Sequence, residues 1–138
     1  MAGRKAFLLR VLLIAAAVGW GISFLGVFLP WTTIGQVFRS LGAGEVPDDA
    51  MVVYWVRGTA ATFGFVGVMF AVAAVRPAGH SNMIFWLAVL MLGVGAASFL
   101  YGLLLKIPAF PFVGDVAFCL VIGAGLLALR KTKATGRE

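Results

Sequence analysis

Residues 11–29 read VLLIAAAVGWGISFLGVFL, an uncharged run stopped by Pro30 and Trp31. At 1.5 Å rise per residue, about 20 apolar residues in a helix span the roughly 30 Å hydrocarbon core of a bilayer, so this run predicts one membrane crossing. Three further stretches match it: Val56 to Val75, closed by Arg76 and Pro77; Met83 to Leu105, which follows His80-Ser81-Asn82 and stops at Lys106; and Phe112 to Leu129, which runs into Arg130 and Lys131. The whole chain of 138 residues is 62% hydrophobic and only 12% charged, with a mean hydropathy of +1.06. Soluble domains carry about 25% charged residues, so too little polar surface is present to cover a globule in water. A soluble enzyme, a disulfide-stapled secreted module and a disordered tail are thereby excluded. The expected fold is an all-α membrane protein with four transmembrane helices, about 11–29, 51–75, 83–105 and 112–129, in an up-and-down antiparallel bundle. Four crossings take about 80 residues and leave short turns and one longer connection, so 1–138 reads as a single transmembrane domain.

The first stretch has the look of a signal peptide, with Arg4, Lys5 and Arg10 ahead of it and Ala15-Ala16-Ala17 as small residues near a cleavage point. Its apolar run continues to Leu29, longer than such a peptide needs, and it is expected to be retained as a crossing. Orientation follows from the basic flanks. With both ends on one side, that side holds eight cations (Arg4, Lys5, Arg10, Arg76, Arg130, Lys131, Lys133, Arg137) and the other holds three (Arg39, Arg57, Lys106). Both termini are therefore expected in the cytoplasm. The net charge of +6 is accounted for by this asymmetry without a nucleic-acid partner, and the basic tail reads as a solvated stop-transfer flank beside anionic lipid.

The connection from Thr32 to Ala50 places Ile34, Val37, Phe38 and Leu41 on one helical face. A short helix over Ile34 to Leu41 is expected in the outer interface, either as a lid over a lateral opening or as a connector resting on lipid. Gly42-Ala43-Gly44 ends it, and Pro47-Asp48-Asp49 supplies a turn and an N-cap for the next helix. Trp31, Tyr54, Trp55, Tyr101, Phe110 and Phe112 mark one interface and Phe85 and Trp86 the other. Trp20, in the middle of the first crossing, should face another helix. Gly19, Gly21 and Ser23, then Gly64, Gly67 and Ala71, then Gly93 and Ala97 form small-residue ridges that let helices approach, in the bundle or in a dimer seam.

Chemistry-bearing residues are few. The lone Cys119 cannot form the thiol pair of a membrane oxidoreductase, and His80 has no second histidine or carboxylate beside it in sequence, so no catalytic residue, metal ligand or cofactor is expected. Arg57 falls at the outer boundary, where it either snorkels or joins a polar cluster. Asp115 lies roughly five residues, or about 7 Å, below the same surface. A carboxylate there needs a partner: it either pairs with Arg57, in a cluster with Tyr101 and Lys106, or caps the last helix. These four residues are the candidate outer-leaflet site.

The stretch Tyr54-Trp55-Val56-Arg57-Gly58, followed by Gly64 and Gly67 and then Arg76-Pro77, resembles the second helix of small bacterial four-helix inner-membrane proteins with no assigned activity. The resemblance covers about half the chain and implies a bacterial inner-membrane location and four helices, but no reaction. Two roles stay open: an interaction, scaffold or accessory subunit, as a homo-oligomer or in a larger membrane complex; or a protein that binds or transports a lipid or small molecule through the outer polar cluster. Membrane lipids are the expected partners in either case.

Overall fold

The computed structural model describes residues 2–130, so Lys131, Lys133 and Arg137 of the basic tail lie outside the described residues. The chain forms α1 (Ala2–Gly21), a tight 3-10 turn (Ile22–Phe24), α2 (Leu25–Phe28), α3 (Trp31–Ser40), α4 (Ala50–Val75), α5 (Ser81–Leu104) and α6 (Ala109–Leu129). Four runs are long and apolar enough to cross a membrane: Gly3–Phe28, Ala50–Val75, Ser81–Leu104 and Phe112–Leu129. The all-α four-helix expectation therefore holds. The first helix begins well before its apolar run, because Ala, Lys, Arg and Leu in residues 2–10 are strong helix formers whatever their depth.

Helix ends follow local chemistry. The Asp49 carboxylate accepts a 2.8 Å bond from the Met51 amide and so caps α4, as its sequence position suggests. In the last helix Phe110 is non-helical, with φ −100° and ψ 133°, and regular helix resumes at Pro111, whose fixed φ suits a first helical position. Helices α3 and α5 end in the same double bond. In α3 the Gly42 and Ala43 amides donate to the Arg39 and Phe38 carbonyls (3.0 and 3.0 Å), and in α5 the Lys106 and Ile107 amides donate to the Leu103 and Gly102 carbonyls (3.2 and 3.0 Å). The turn requires a left-handed residue, Gly42 at φ 92° in one case and Lys106 at φ 53° in the other.

Packing is uneven around the bundle. Helix α5 lies along α6, α1 lies against both α4 and α6, while α4 and α5, though joined by a short turn, touch little. The spatial order is thus α4, α1, α6, α5. The α1–α4 crossing is close enough that a Cβ at Gly67 would fall 2.5 Å from the Gly21 nitrogen, and one at Gly64 would strike the Phe24 ring. The ridges on the first two crossings therefore serve the bundle. On α5 the approach is made by Gly95 and Gly102, against Cys119 and Phe112 of α6, whereas Gly93 faces open space. Trp20 is buried and meets Phe63 of α4 edge-on, with ring centroids 4.9 Å apart.

The core is formed by Leu9, Leu13, Ala16 and Trp20 of α1, Phe70, Ala73 and Ala74 of α4, Ile84, Leu87, Ala88 and Met91 of α5, and Cys119, Ile122 and Leu126 of α6. Most lie in the half of the bundle that carries the chain ends, with Trp20 and Cys119 near mid-depth. At that same end the Arg130 guanidinium sits 4.3 Å over the Phe85 ring, tying the end of α6 to the start of α5.

Candidate functional site

At the opposite end of the bundle, beneath α3, a groove opens between the first crossing and α4. Its volume is about 670 Å3, and it is lined by Ile22, Ser23, Leu25, Gly26 and Leu29 on the first crossing, by Trp55, Val56, Thr59, Ala60 and Phe63 on α4, and by Ile34, Val37 and Phe38 on α3. Pockets for small molecules span about 300–1,000 Å3 and are mostly apolar with a few polar groups, a description this groove meets. Its polar side-chain groups are the Ser23 and Thr59 hydroxyls and the Trp55 indole, and neither hydroxyl is bonded within the described residues.

Each wall has a local cause. The 3-10 turn at Ile22–Phe24 breaks the regular twist of the first crossing just where it passes the groove, a tightening common at functional bends. Gly26 and Ala60 face one another across the base, a Cβ at Gly26 lying 3.0 Å from that of Ala60, so no bulky side chain fills the space. The roof is α3, whose apolar face turns inward only in part: Ile34 is buried and Phe38 half-buried, whereas Val37 and Leu41 of the same face are exposed, as are Gln36, Arg39 and Ser40 on the other. Pro30 starts this helix and Gly42 stops it, and its described side-chain hydrogen bond, Ser40 to the Val37 carbonyl (2.7 Å), stays within it.

The four residues singled out in the sequence do not form one cluster. Arg57, half-buried on α4, donates through Nη1 to the Val27 carbonyl and through Nη2 to the Leu29 carbonyl at 3.2 Å. It thereby satisfies carbonyls left unpaired where the first crossing ends. Asp115 is exposed on α6 and forms neither an ion pair with Arg57 nor a bond to a backbone amide among the described residues. The reason is positional: α6 packs on α5 and α1 rather than α4, and the helix is already regular from Pro111, so Asp115 lies past its first turn. Tyr101 is exposed, and Lys106 is the left-handed residue closing α5.

A counterpart to Arg57 stands at the other end. Arg10 of α1 donates through Nε to the Ala74 carbonyl (2.9 Å) and through Nη2 to the Val75 carbonyl (2.9 Å), at the end of α4. The first crossing and α4, which run antiparallel, are therefore capped reciprocally: Arg10 of α1 serves the end of α4, and Arg57 of α4 serves the end of α2. Sequence reading treated Arg10 as a topology signal only. The clue available was the level of each arginine with the end of the adjacent helix in an antiparallel hairpin. Ser23 and Thr59 were likewise passed over as a facing pair, because nothing in their spacing announces that two crossings hold them on one groove.

No family model matches this chain, and neither a curated protein nor a solved structure matches it.

Proposed function

We propose that this chain is a membrane-embedded binding protein, set in a bacterial inner membrane with both termini cytoplasmic, which holds the hydrocarbon part of a molecule drawn from the lipid phase in the groove beneath α3. The groove is the observation that carries this reading: an unfilled apolar space whose roof is an amphipathic helix and whose base is made by Gly26 and Ala60. It favours binding over a scaffold or accessory role, since the groove between the first crossing and α4 is large enough to take a hydrocarbon chain. The orientation rests on the eight-to-three division of Lys and Arg. Binding needs no acid–base pair or bound metal, so the role proposed is not enzymatic.

The test is retention of lipid. Native mass spectrometry of the protein released from mild detergent should show a bound lipid on the wild type, and Thr59→Trp, which fills the groove from α4, should lose it while remaining folded. Equal retention by the two proteins would defeat the proposal.

A further inference from the structure

We infer that the inward faces of α5 and α6 carry a second binding site, separate from the groove beneath α3, in which Asp115 and Ser98 hold the primary ammonium group of an amphiphilic amine. Asp115 precedes Cys119, Ile122 and Leu126 by four, seven and eleven residues, and those three are buried in the core. Residues so spaced share one face of a helix, so Asp115 stands on the inward face of α6, one turn beyond the point where the core closes. Ser98 is placed likewise on α5: Met91 lies seven residues before it, Gly95 three before and Gly102 four after, and all three are buried. The packing of α5 on α6 sets the two side chains level. A Cβ at Gly95 would fall 3.0 Å from that of Cys119, and one at Gly102 would strike the Phe112 ring. Both pairs keep one antiparallel alignment, in which Ser98 comes opposite Val116, the residue after Asp115. The groove lies elsewhere, since its lining comes from the first crossing, α3 and α4.

Although they stand on inward faces, Asp115 is exposed and Ser98 half-buried. The reason is the gap beside them: α4, which completes the core through Phe70, Ala73 and Ala74, touches α5 little. Among the described residues neither side chain has a hydrogen bond or an ion pair. Arg57 is committed to the Val27 and Leu29 carbonyls, and Lys106 lies past the end of α5. Ser98 is six residues short of Leu104, roughly 9 Å below the end of α5. At that depth the single methylene of an aspartate cannot carry its carboxylate to the interface, as the long stems of Lys and Arg carry theirs, and an ionised carboxylate in lipid calls for a cation. A primary ammonium suits both groups, being a compact charge with three donors, enough for the Asp115 carboxylate and the Ser98 hydroxyl oxygen together. Its hydrocarbon tail has a way out to lipid between α4 and α5. The inward placing of both residues favours a slender molecule of this kind over a partner helix.

The experiment measures binding of decylammonium, decanol and decanoate to the protein in a non-ionic detergent near neutral pH, by isothermal titration calorimetry. Decylammonium should bind at least about tenfold more tightly than decanol, as hydrogen bonds to a charged group provide, and decanoate should bind more weakly than either. Asp115→Asn should remove the preference for decylammonium over decanol, and Asp115→Glu should keep most of it. Ser98→Ala should weaken decylammonium by about two- to tenfold and leave decanol unchanged. Neither side chain bonds anything in the fold, so these variants stay folded; should Asp115→Asn fail to fold, Ser98→Ala still decides. Equal binding of decylammonium and decanol, a preference that survives Asp115→Asn, or decylammonium binding untouched by Ser98→Ala would each overturn the inference. Thr59→Trp, which fills the groove, should leave the preference for decylammonium as it is. Its loss in that variant would put the amine in the groove and overturn the separate site.

Discussion

The two halves of this bundle are made of the same kinds of residue and pack differently. In the half that carries the chain ends, Leu13, Phe70, Ile84, Met91 and Leu126 are fully buried and four helices share one core. In the half beneath α3, the first crossing and α4 contribute no buried large side chain beyond Trp20, at mid-depth, and the space between them is a groove. In a membrane the solvent is as apolar as the core, so burial by itself does not drive helices together; close packing does. One half holds the fold and the other is free to hold something else. Two phenylalanines on α4 test this difference most sharply. Phe70→Ala, which leaves a cavity in the packed half, should cost about 2–3 kcal/mol of stability in detergent unfolding, whereas Phe63→Ala in the groove wall should cost under about 1 kcal/mol. If the two substitutions cost the same, the division into a packed and a grooved half is wrong.

The reciprocal arginines bind both halves, one at each end. Arg10→Gln and Arg57→Gln each leave helix carbonyls without donors in a poorly hydrated setting, and each should lower stability by about 1–2 kcal/mol. Their positions at opposite ends of the α1–α4 pair make the double variant additive within about 0.5 kcal/mol. Pairing Arg57→Gln with Asp115→Asn should be additive too, with Asp115→Asn nearly silent in the thermal unfolding midpoint. A strong coupling between Arg57 and Asp115 would restore the ion pair that the helix order argues against.

Why the bundle was legible and the site was not follows from the kinds of information involved. Hydropathic runs and their basic flanks are local, so the four crossings, the Asp49 cap and the amphipathic α3 can be read from neighbouring residues. Partnership between helices is not local. Arg57 and Asp115 lie at similar depths, and depth alone made them candidates for one cluster; only the spatial order α4, α1, α6, α5 separates them. Gly93 and Gly95 illustrate the same limit at closer range: both are small residues on α5, yet Gly95 touches α6 and Gly93 touches nothing. The groove was half legible. A lid over a lateral opening was one of two readings of the amphipathic connection after Pro30, the other being a connector on lipid, but the facing of Gly26 with Ala60 depends on where the first crossing meets α4, which the contact of Gly67 with Gly21 decides.

The smallest effect expected concerns the two helix ends closed by the same turn. Gly42 ends α3, the roof of the groove, with the residue that accepts φ 92° without strain, while Lys106 ends α5 with φ 53° and a side chain whose Cβ crowds the following carbonyl. A left-handed non-glycine residue costs about 1 kcal/mol, and glycine in its place recovers most of this while giving some back through the freer unfolded chain. Lys106→Gly should therefore raise stability by about 0.5 kcal/mol, with the Schellman bonds from residues 106 and 107 retained. Gly42→Ala, the reverse experiment, should lower it by about 1 kcal/mol and loosen the roof, which hydrogen exchange of the Gly42 and Ala43 region would report as faster opening. The pair also separates strain from function. If Lys106 serves only the turn, Lys106→Gly leaves lipid retention as it is; if retention falls although the protein is more stable, the lysine's charge contributes to binding from α5.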